Sequence, residues 1–278
     1  MKTLLIVLAI IVVVAVAMLE AADYRWRVRS HALVAALRSG GPPVAGAFHA
    51  AQLAGLPAPV RRYFLVVLQE GQPLAAHVRL AQRGTFLVKP EANGWAPFMA
   101  VQDFRVAPAG FVWDARIAMA PGIAVRVRDS FVDGKGSMYG AALGLFTVVR
   151  MENTPDMATA ALTRYLGEAC WFPTALLPGA GVEWTAVDDS TARATLAVGG
   201  ATAKLDFHFG SDSLIRRVTG VRPRAVGATT VPTAWEGRWL EYAVRGGVRI
   251  PVLGEVAWLL PAGPQPYWRG RVTDIVVE

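Results

Sequence analysis

The residues with the most chemical potential gather in one stretch, Leu162 to Trp184, which reads LTRYLGEACWFPTALLPGAGVEW. It holds the only cysteine, Cys170, two tryptophans, Trp171 and Trp184, and an Arg/Glu pair, Arg164 and Glu168. A thiol nucleophile is the first chemistry to weigh. Cys170 falls at the C-terminal end of a helical pattern, where the helix dipole disfavours a thiolate, so it reads as a buried structural thiol. No G-x-S-x-G elbow occurs, and Gly136-Ser137 lacks the frame. Acid/base chemistry is the second. Glu152, Asp156, Glu168 and Glu183 flank the same helix, but caps, turns and ion pairs explain such residues more simply than a catalytic pair. Arg164 and Glu168 lie one helical turn apart in the weaker order, and read as an exposed pair worth about 0.2–0.5 kcal/mol at best. The alternative is a polar site, in which Glu168 is held at a sheet mouth by Arg164, or by Arg61 and Arg62. Metal binding is the third. His31, His49, His77 and His208 are isolated, with neither H-x-x-x-H nor H-E-x-x-H spacing. His208 alternates with Asp206 and Lys204 on what reads as a solvated strand face. No phosphate loop or dinucleotide fingerprint follows a strand. The expectation is no catalytic residue, no metal and no cofactor.

Tryptophan is the positive signal. Nine are present, and all but Trp26 fall in the β-rich part of the chain. They read as a large aromatic core, which becomes an apolar cavity where it is incompletely filled. The residues expected to line such a cavity are Trp113, Tyr165, Trp171, Leu176, Leu177 and Trp239.

The elements that must position these groups follow from hydrophobic periodicity. Ala158, Ala161, Leu162, Tyr165, Leu166 and Ala169 recur at helical spacing, so a helix is expected over 157–170, capped by Asp156. Pro173 pushes Phe172 out of helical geometry, and Pro178-Gly179 makes a second turn. The helix, its aromatic end and Leu176-Leu177 together form a plug. Upstream, the segment from Leu56-Pro57-Ala58-Pro59 to Leu68 reads as a short helix, with another over Phe48–Leu53. From His77 the period changes to two. Strands are expected over 77–89, 95–106, 111–119, 123–131, 136–139 and 145–151. After the helix they resume over 182–187, 191–198, 202–209, 214–221, 235–245, 248–256 and 268–277. Tight turns such as Asn93-Gly94, Asp133-Gly134 and Gly246-Gly247 join them, which implies an antiparallel meander. A sheet this broad must curl.

Leu4 to Leu19 is a run of sixteen apolar residues without charge. With its flanks it approaches the length that crosses roughly 30 Å of hydrocarbon, so it reads as an uncleaved single-pass anchor in preference to a signal peptide. Tyr24 and Trp26 fall where interfacial aromatics belong, and Ser39 to Pro43 ends the helix that leaves the membrane. The chain of 278 residues carries a net charge of +7 and a hydrophobic fraction of 54%. Its arginines are spread along strand faces with no nucleic-acid motif, so no nucleic-acid partner is expected. Arg25, Arg27 and Arg29 outnumber Lys2 across the apolar run, which by the positive-inside rule favours a cytoplasmic domain. A single cysteine excludes an internal disulfide framework and a lipoprotein-type attachment.

The run RYLGEACWFPTALLPGAGVEW, together with Leu56 to Tyr63, Trp239 to Tyr242 and Arg249-Ile250-Pro251, resembles an uncharacterised bacterial domain-of-unknown-function family from about residue 53 onward. The architecture is similar to the lipoprotein-carrier half-barrel of the LolA/LolB type, a curved sheet of about eleven strands with helices in its concavity. That resemblance implies an acyl chain or another apolar ligand, and an extracytoplasmic domain. The expected organisation is a membrane segment over 1–22, a helical linker section over 23–73, and a mainly β half-barrel with a helical plug over 74–278. The function expected is binding of a hydrophobic or lipid-like ligand at the membrane without catalysis. The alternatives are a hydrolase or isomerase using Glu168 and an arginine, and a structural partner of an envelope protein.

Overall fold

The computed structural model of the chain describes every residue except 42–45, 153 and 228. Helix α1 (Lys2–Ser39) is continuous, so the apolar run and the following section form one rod of 38 residues. It ends at Ser39, and the expected stop at Pro42-Pro43 lies outside the described residues. Its first half is long and apolar enough to cross a membrane and touches nothing else in the fold. Its second half lies on the sheet through Ala22, Trp26, Ser30 and Leu37. Trp26 is a correction to the interfacial reading. It is buried, its Nε1 donates to both oxygens of Asp114 at 3.0 Å, and the Arg128 guanidinium sits 4.6 Å over its ring. Tyr24 stays exposed.

Helix α2 (Ala58–Val67) starts with Pro59 in its first turn and buries Val60, Tyr63, Phe64 and Val67. The expected helix over Phe48–Leu53 is a 3-10 turn, Ala50–Leu53. Among the described residues thirteen strands follow. They are β1 (His77–Lys89), β2 (Gly94–Arg105), β3 (Gly110–Ala120), β4 (Ile123–Val132), β5 (Lys135–Ala142), β6 (Phe146–Glu152), β7 (Glu183–Ala186), β8 (Thr191–Val198), β9 (Ala201–Phe209), β10 (Ile215–Val226), β11 (Thr229–Arg245), β12 (Val248–Leu260) and β13 (Gly263–Val277). Each period-two segment of the sequence becomes a strand. The thirteen match the segments read from periodicity and exceed the eleven or so that the half-barrel resemblance implied; the short strands β5, β6 and β7 all pair into the sheet.

All thirteen strands form one antiparallel sheet, ordered β6-β5-β4-β3-β2-β1-β13-β12-β11-β10-β9-β8-β7. The chain starts in the middle, winds out to β6, crosses to the opposite edge and winds back until β13 pairs with β1. The crossing element is helix α3 (Pro155–Glu168), followed by 3-10 turns at Ala169–Trp171, Pro173–Leu176 and Pro178–Ala180. Its cap is Thr154, whose Oγ1 accepts from the Met157 amide at 3.1 Å, and not the expected Asp156, which is exposed. Thr154 wins because Pro155, which has no amide proton to satisfy, takes the first helical position.

Because α3 joins the two sheet edges, the sheet must fold over it. The helix packs on β3, β4 and β5 on one side and on β8, β9 and β10 on the other. The turn after β4 meets the turn after β8 glycine to glycine, and a Cβ on Gly134 would stand 2.8 Å from the Gly199 Cα. One core results, continuous from α2 through the aromatic end of α3 to the concave face of the sheet.

Candidate functional site

Enclosure of α3 decides the fate of its charged residues. A helix covered on both flanks has no solvated face, so Arg164 and Glu168 cannot form the exposed pair expected from their spacing. The Arg164 side chain is 13% exposed. Its Nε donates to Glu168 Oε1 at 2.8 Å and its Nη1 to Asp129 Oδ2, on β4, at 2.7 Å. Its guanidinium lies 4.9 Å from the Trp113 ring centre and 5.1 Å from that of Phe111. From Glu168 the chain of bonds continues outward along the sheet. Gln102 Nε2 donates to Glu168 Oε2 at 2.8 Å, Gln82 Nε2 to Gln102 Oε1 at 3.2 Å, and Trp113 Nε1 to Gln82 Oε1 at 2.9 Å. Burial pushes the Glu168 carboxyl up, with Arg164 pulling the other way. Burial alone would lower the Arg164 pKa, but Glu168 and Asp129 outweigh it and the guanidinium is raised.

Beside this network lies a cavity of about 220 Å³. Its walls are largely aromatic, formed by Phe86, Trp113, Trp235, Trp239, Tyr267 and Trp268. Aliphatic side chains from β3, β4, β5, β6 and β12 complete them, and Asp129, Arg164, Glu168 and Arg222 are the charged lining. Two of the indoles lie flat across glycines of the neighbouring strand or their own. A Cβ on Gly254, which pairs with Trp239, would stand 2.6 Å from the Trp239 ring, and one on Gly270 would collide with Trp268. Small residues under large rings let the sheet curve tightly there and set the shape of the wall.

Three buried polar atoms on this wall have no hydrogen-bond partner among the described residues: Asp129 Oδ1, Trp239 Nε1 and Trp268 Nε1. Leaving such a group unmade costs about 1–3 kcal/mol. Arg222 is a further unusual group. It is buried, its Nε donates to the Ala160 carbonyl at 2.9 Å and its Nη1 to the Tyr267 hydroxyl at 3.0 Å, yet no carboxylate among the described residues pairs with it. The lining residues thus include one acceptor and two donors without a hydrogen-bond partner and one guanidinium without a counter-charge among the described residues.

The expected residues divide into two groups. Trp113, Trp239, Arg164 and Glu168 meet at the cavity. Tyr165, Trp171, Leu176 and Leu177 are core. The Tyr165 hydroxyl donates to the Arg105 carbonyl at 3.1 Å, Trp171 packs edge-on against Trp239 at 5.1 Å, and Leu177 lines a separate shallow cleft beside Leu74 and Val106. Arg61 is a correction: α2 turns it to solvent, away from Glu168, while Arg62 donates to the Asp189 carbonyl at 2.8 Å. Cys170 is buried against the Gly167 carbonyl, and burial raises its thiol pKa. The sequence reading missed Gln82, Gln102, Asp129 and Arg222. A legible signal existed for three of them, since each breaks an apolar parity: Leu80-Gln82, Gln102-Phe104 and Val127-Asp129-Phe131.

Residues 54–276 match a family described as a family of unknown function, DUF6920. No curated protein matches the chain. Among solved structures, a LolA superfamily protein from Nitrosomonas europaea is similar at 7% identity and a TM-score of 0.38, over 80% of this chain and 92% of that one. A β-barrel-like protein of the domain of unknown function DUF1849 from Brucella abortus is similar at 11% identity and a TM-score of 0.24, over 74% and 98%.

Proposed function

We propose that this chain, which belongs to the DUF6920 family of unknown function, is a membrane-anchored protein that binds an apolar, lipid-like ligand in the cavity beside α3 and performs no chemistry on it. The observation that carries the reading is the cavity wall itself: aromatic, buried, and built from residues that leave Asp129 Oδ1, Trp239 Nε1 and Trp268 Nε1 without a partner among the described residues. An apolar body fills the space between the indoles, and a polar end brings an acceptor to the indole N–H groups or Arg222 and a donor to Asp129. The volume of about 220 Å³ falls below the roughly 300–1,000 Å³ of drug-sized sites, which favours a single acyl chain or a small ring over a multi-chain lipid. The continuous helix α1 supplies the anchor. On the half-barrel resemblance we place the domain outside the cytoplasm. Topology reporters fused at the C-terminus test that placement, and an active cytoplasmic reporter reverses it.

Native mass spectrometry of gently purified full-length chain tests the binding. A bound mass, and a shift in tryptophan emission when fatty acid is added to delipidated protein, are expected. Unliganded protein throughout, with no emission response, sinks the proposal.

A second reading has one observation in its favour. Glu168 is buried, bonded to an arginine and on the cavity wall, which is the geometry an acid/base enzyme needs. Against it, both Glu168 oxygens already accept, from Arg164 and from Gln102. Turnover of an apolar ester by wild type that is lost in Glu168→Gln would favour the enzyme.

A further inference from the structure

The course of α1 fixes which end of the half-barrel faces the lipid. Leu37 packs at Gly110, where β3 starts, Ser30 and Trp26 bond to Asp114, and Asp23 pairs with Arg126 of β4. Ala22 then meets Gly144 in the turn between β5 and β6. The helix therefore runs along β3 towards the turns that close β3–β4 and β5–β6, and enters its apolar run as it reaches them. From Arg126 to Ile123 the strand advances at most about 10 Å. The helix covers that distance in about seven residues. The β3–β4 tip thus comes level with the stretch near Val16 to Met18, inside the apolar run.

The tips at this end carry no charge. The β3–β4 hairpin is uncharged from Ile117 to Val125, β5–β6 from Tyr139 to Val149, β10–β11 from Ala225 to Trp235, and β12–β13 from Val256 to Trp268. The register brings β10–β11 and β12–β13 together, since Trp235 pairs with Trp258 and Trp258 with Gln265. Met119, Ile123, Phe146, Val148, Val226 and Val231 are exposed there. The β1–β2 tip, with Lys89 and Glu91, departs from the pattern, and the short uncharged β8–β9 turn folds away from the rim to meet Gly134. Of the turns that close the other strand ends, Asp133-Gly134-Lys135, Asp188-Asp189, Asp212 and Arg245 to Arg249 are charged or polar, while the uncharged β2–β3 turn, Val106 to Ala109, lies against the end of α1. Such a one-sided apolar rim is out of place in water. The cavity opens on the same side. Its half-buried lining, Phe86, Val127, Val149 and Tyr267, lies close to these tips, while Trp113 and Trp239 are fully buried behind it.

We propose that the four uncharged hairpin tips rest in the bilayer that α1 crosses, so that the cavity mouth opens at the lipid surface and the ligand exchanges with the membrane without passing through water. The proposal rests on the anchor reading but not on occupancy of the cavity. Full-length chain in phosphatidylcholine vesicles tests it, with an environment-sensitive fluorophore on Ile123→Cys, Phe146→Cys or Val231→Cys, and on Ser211→Cys in the turn before β10 as the aqueous control. Cys170 is buried and stays unlabelled. Brominated phosphatidylcholine is expected to quench the three tip sites several-fold more than Ser211→Cys, with blue-shifted emission at the tips alone. Tip sites quenched no more than the control, in protein that stays with the vesicles, overturn the seat. Chain released by alkaline carbonate overturns the anchor and the seat together. Quenched tips in a protein that never carries ligand would remove the ligand reading and leave the seat standing.

Discussion

Replacing Arg164 by methionine separates two accounts of the same residue. As an exposed helical pair with Glu168 it would contribute less than about 1 kcal/mol. In the fold it is the shared cation of two enclosed carboxylates, with Asp129 1% and Glu168 8% exposed as residues. Methionine keeps most of the stem that packs on Trp113 and Phe111, so the change isolates the charge. It leaves two acids without a cation, and removing one partner of a buried ion pair costs about 3–5 kcal/mol. At a urea dependence of roughly 2 kcal/mol per molar, that is a midpoint shift of about 1.5–2.5 M. The assay is urea unfolding of the full chain in mild detergent, followed by tryptophan emission. Two controls make the result interpretable. Adding Asp129→Asn and Glu168→Gln to Arg164→Met should recover much of the loss, because the stranded charges are gone. The deficit of Arg164→Met should also shrink as pH falls, because the Glu168 carboxyl, already raised by burial, takes up its proton more readily once the arginine that pulls it down is gone. A loss under about 1 kcal/mol at neutral pH, or a deficit that does not depend on pH, refutes the reasoning.

Glu168 gives a second pH signature. Its folded pKa is raised above the ordinary value near 4.5, so its contribution to stability is fully present below that value and fades as pH rises through the raised one. Wild type should therefore lose stability relative to Glu168→Gln between pH 4 and 8 in matched urea titrations, and a gap that widens in favour of wild type contradicts this. Gly270→Val should destabilise by about 1–3 kcal/mol and lower the melting temperature, because the new side chain meets the Trp268 ring; an unchanged melting temperature would show that the ring has room to move. Asp114→Ala removes the acceptor for Trp26 and Ser30. Amide exchange should quicken over Ala22 to Leu37 and stay unchanged in β8 to β10; equal exchange in both regions would mean that α1 is held by something other than this bond.

Much of the fold is legible in the sequence because a strand announces itself locally. Val125, Val127 and Phe131 alternate with Arg126 and Arg128, and β4 follows without knowledge of its neighbours. Helix α3 is equally local. What sequence periodicity does not carry is how often the sheet turns back over that helix. The Arg164–Glu168 pair has the same spacing whether it is enclosed or exposed, and only the seating of α3 in the concavity, with that face against β2, β3 and β4, makes it buried. Asp129 is 35 positions from Arg164, and nothing short of the β4 register brings them together. The same gap explains Trp26. Its place just beyond an apolar run is that of a headgroup aromatic, but an acid at the right height on β3 draws it onto the sheet. Arg61 shows the reverse error, a charge near the motif in thought but turned away by the face that α2 buries.

The unbroken course of α1 has a consequence for traffic. A domain on a flexible tether of 20 residues would roam over roughly 25 Å around its anchor. Helix α1 leaves no such slack, because the apolar run passes into the part bonded to β3 without a linker. An anchored domain of this build turns with its helix and drifts with it in the plane of the membrane, but it does not travel away from that surface. On the proposed anchoring and ligand binding, whatever it holds would be collected and handed over where it stands, to the bilayer beneath it or to a partner that arrives.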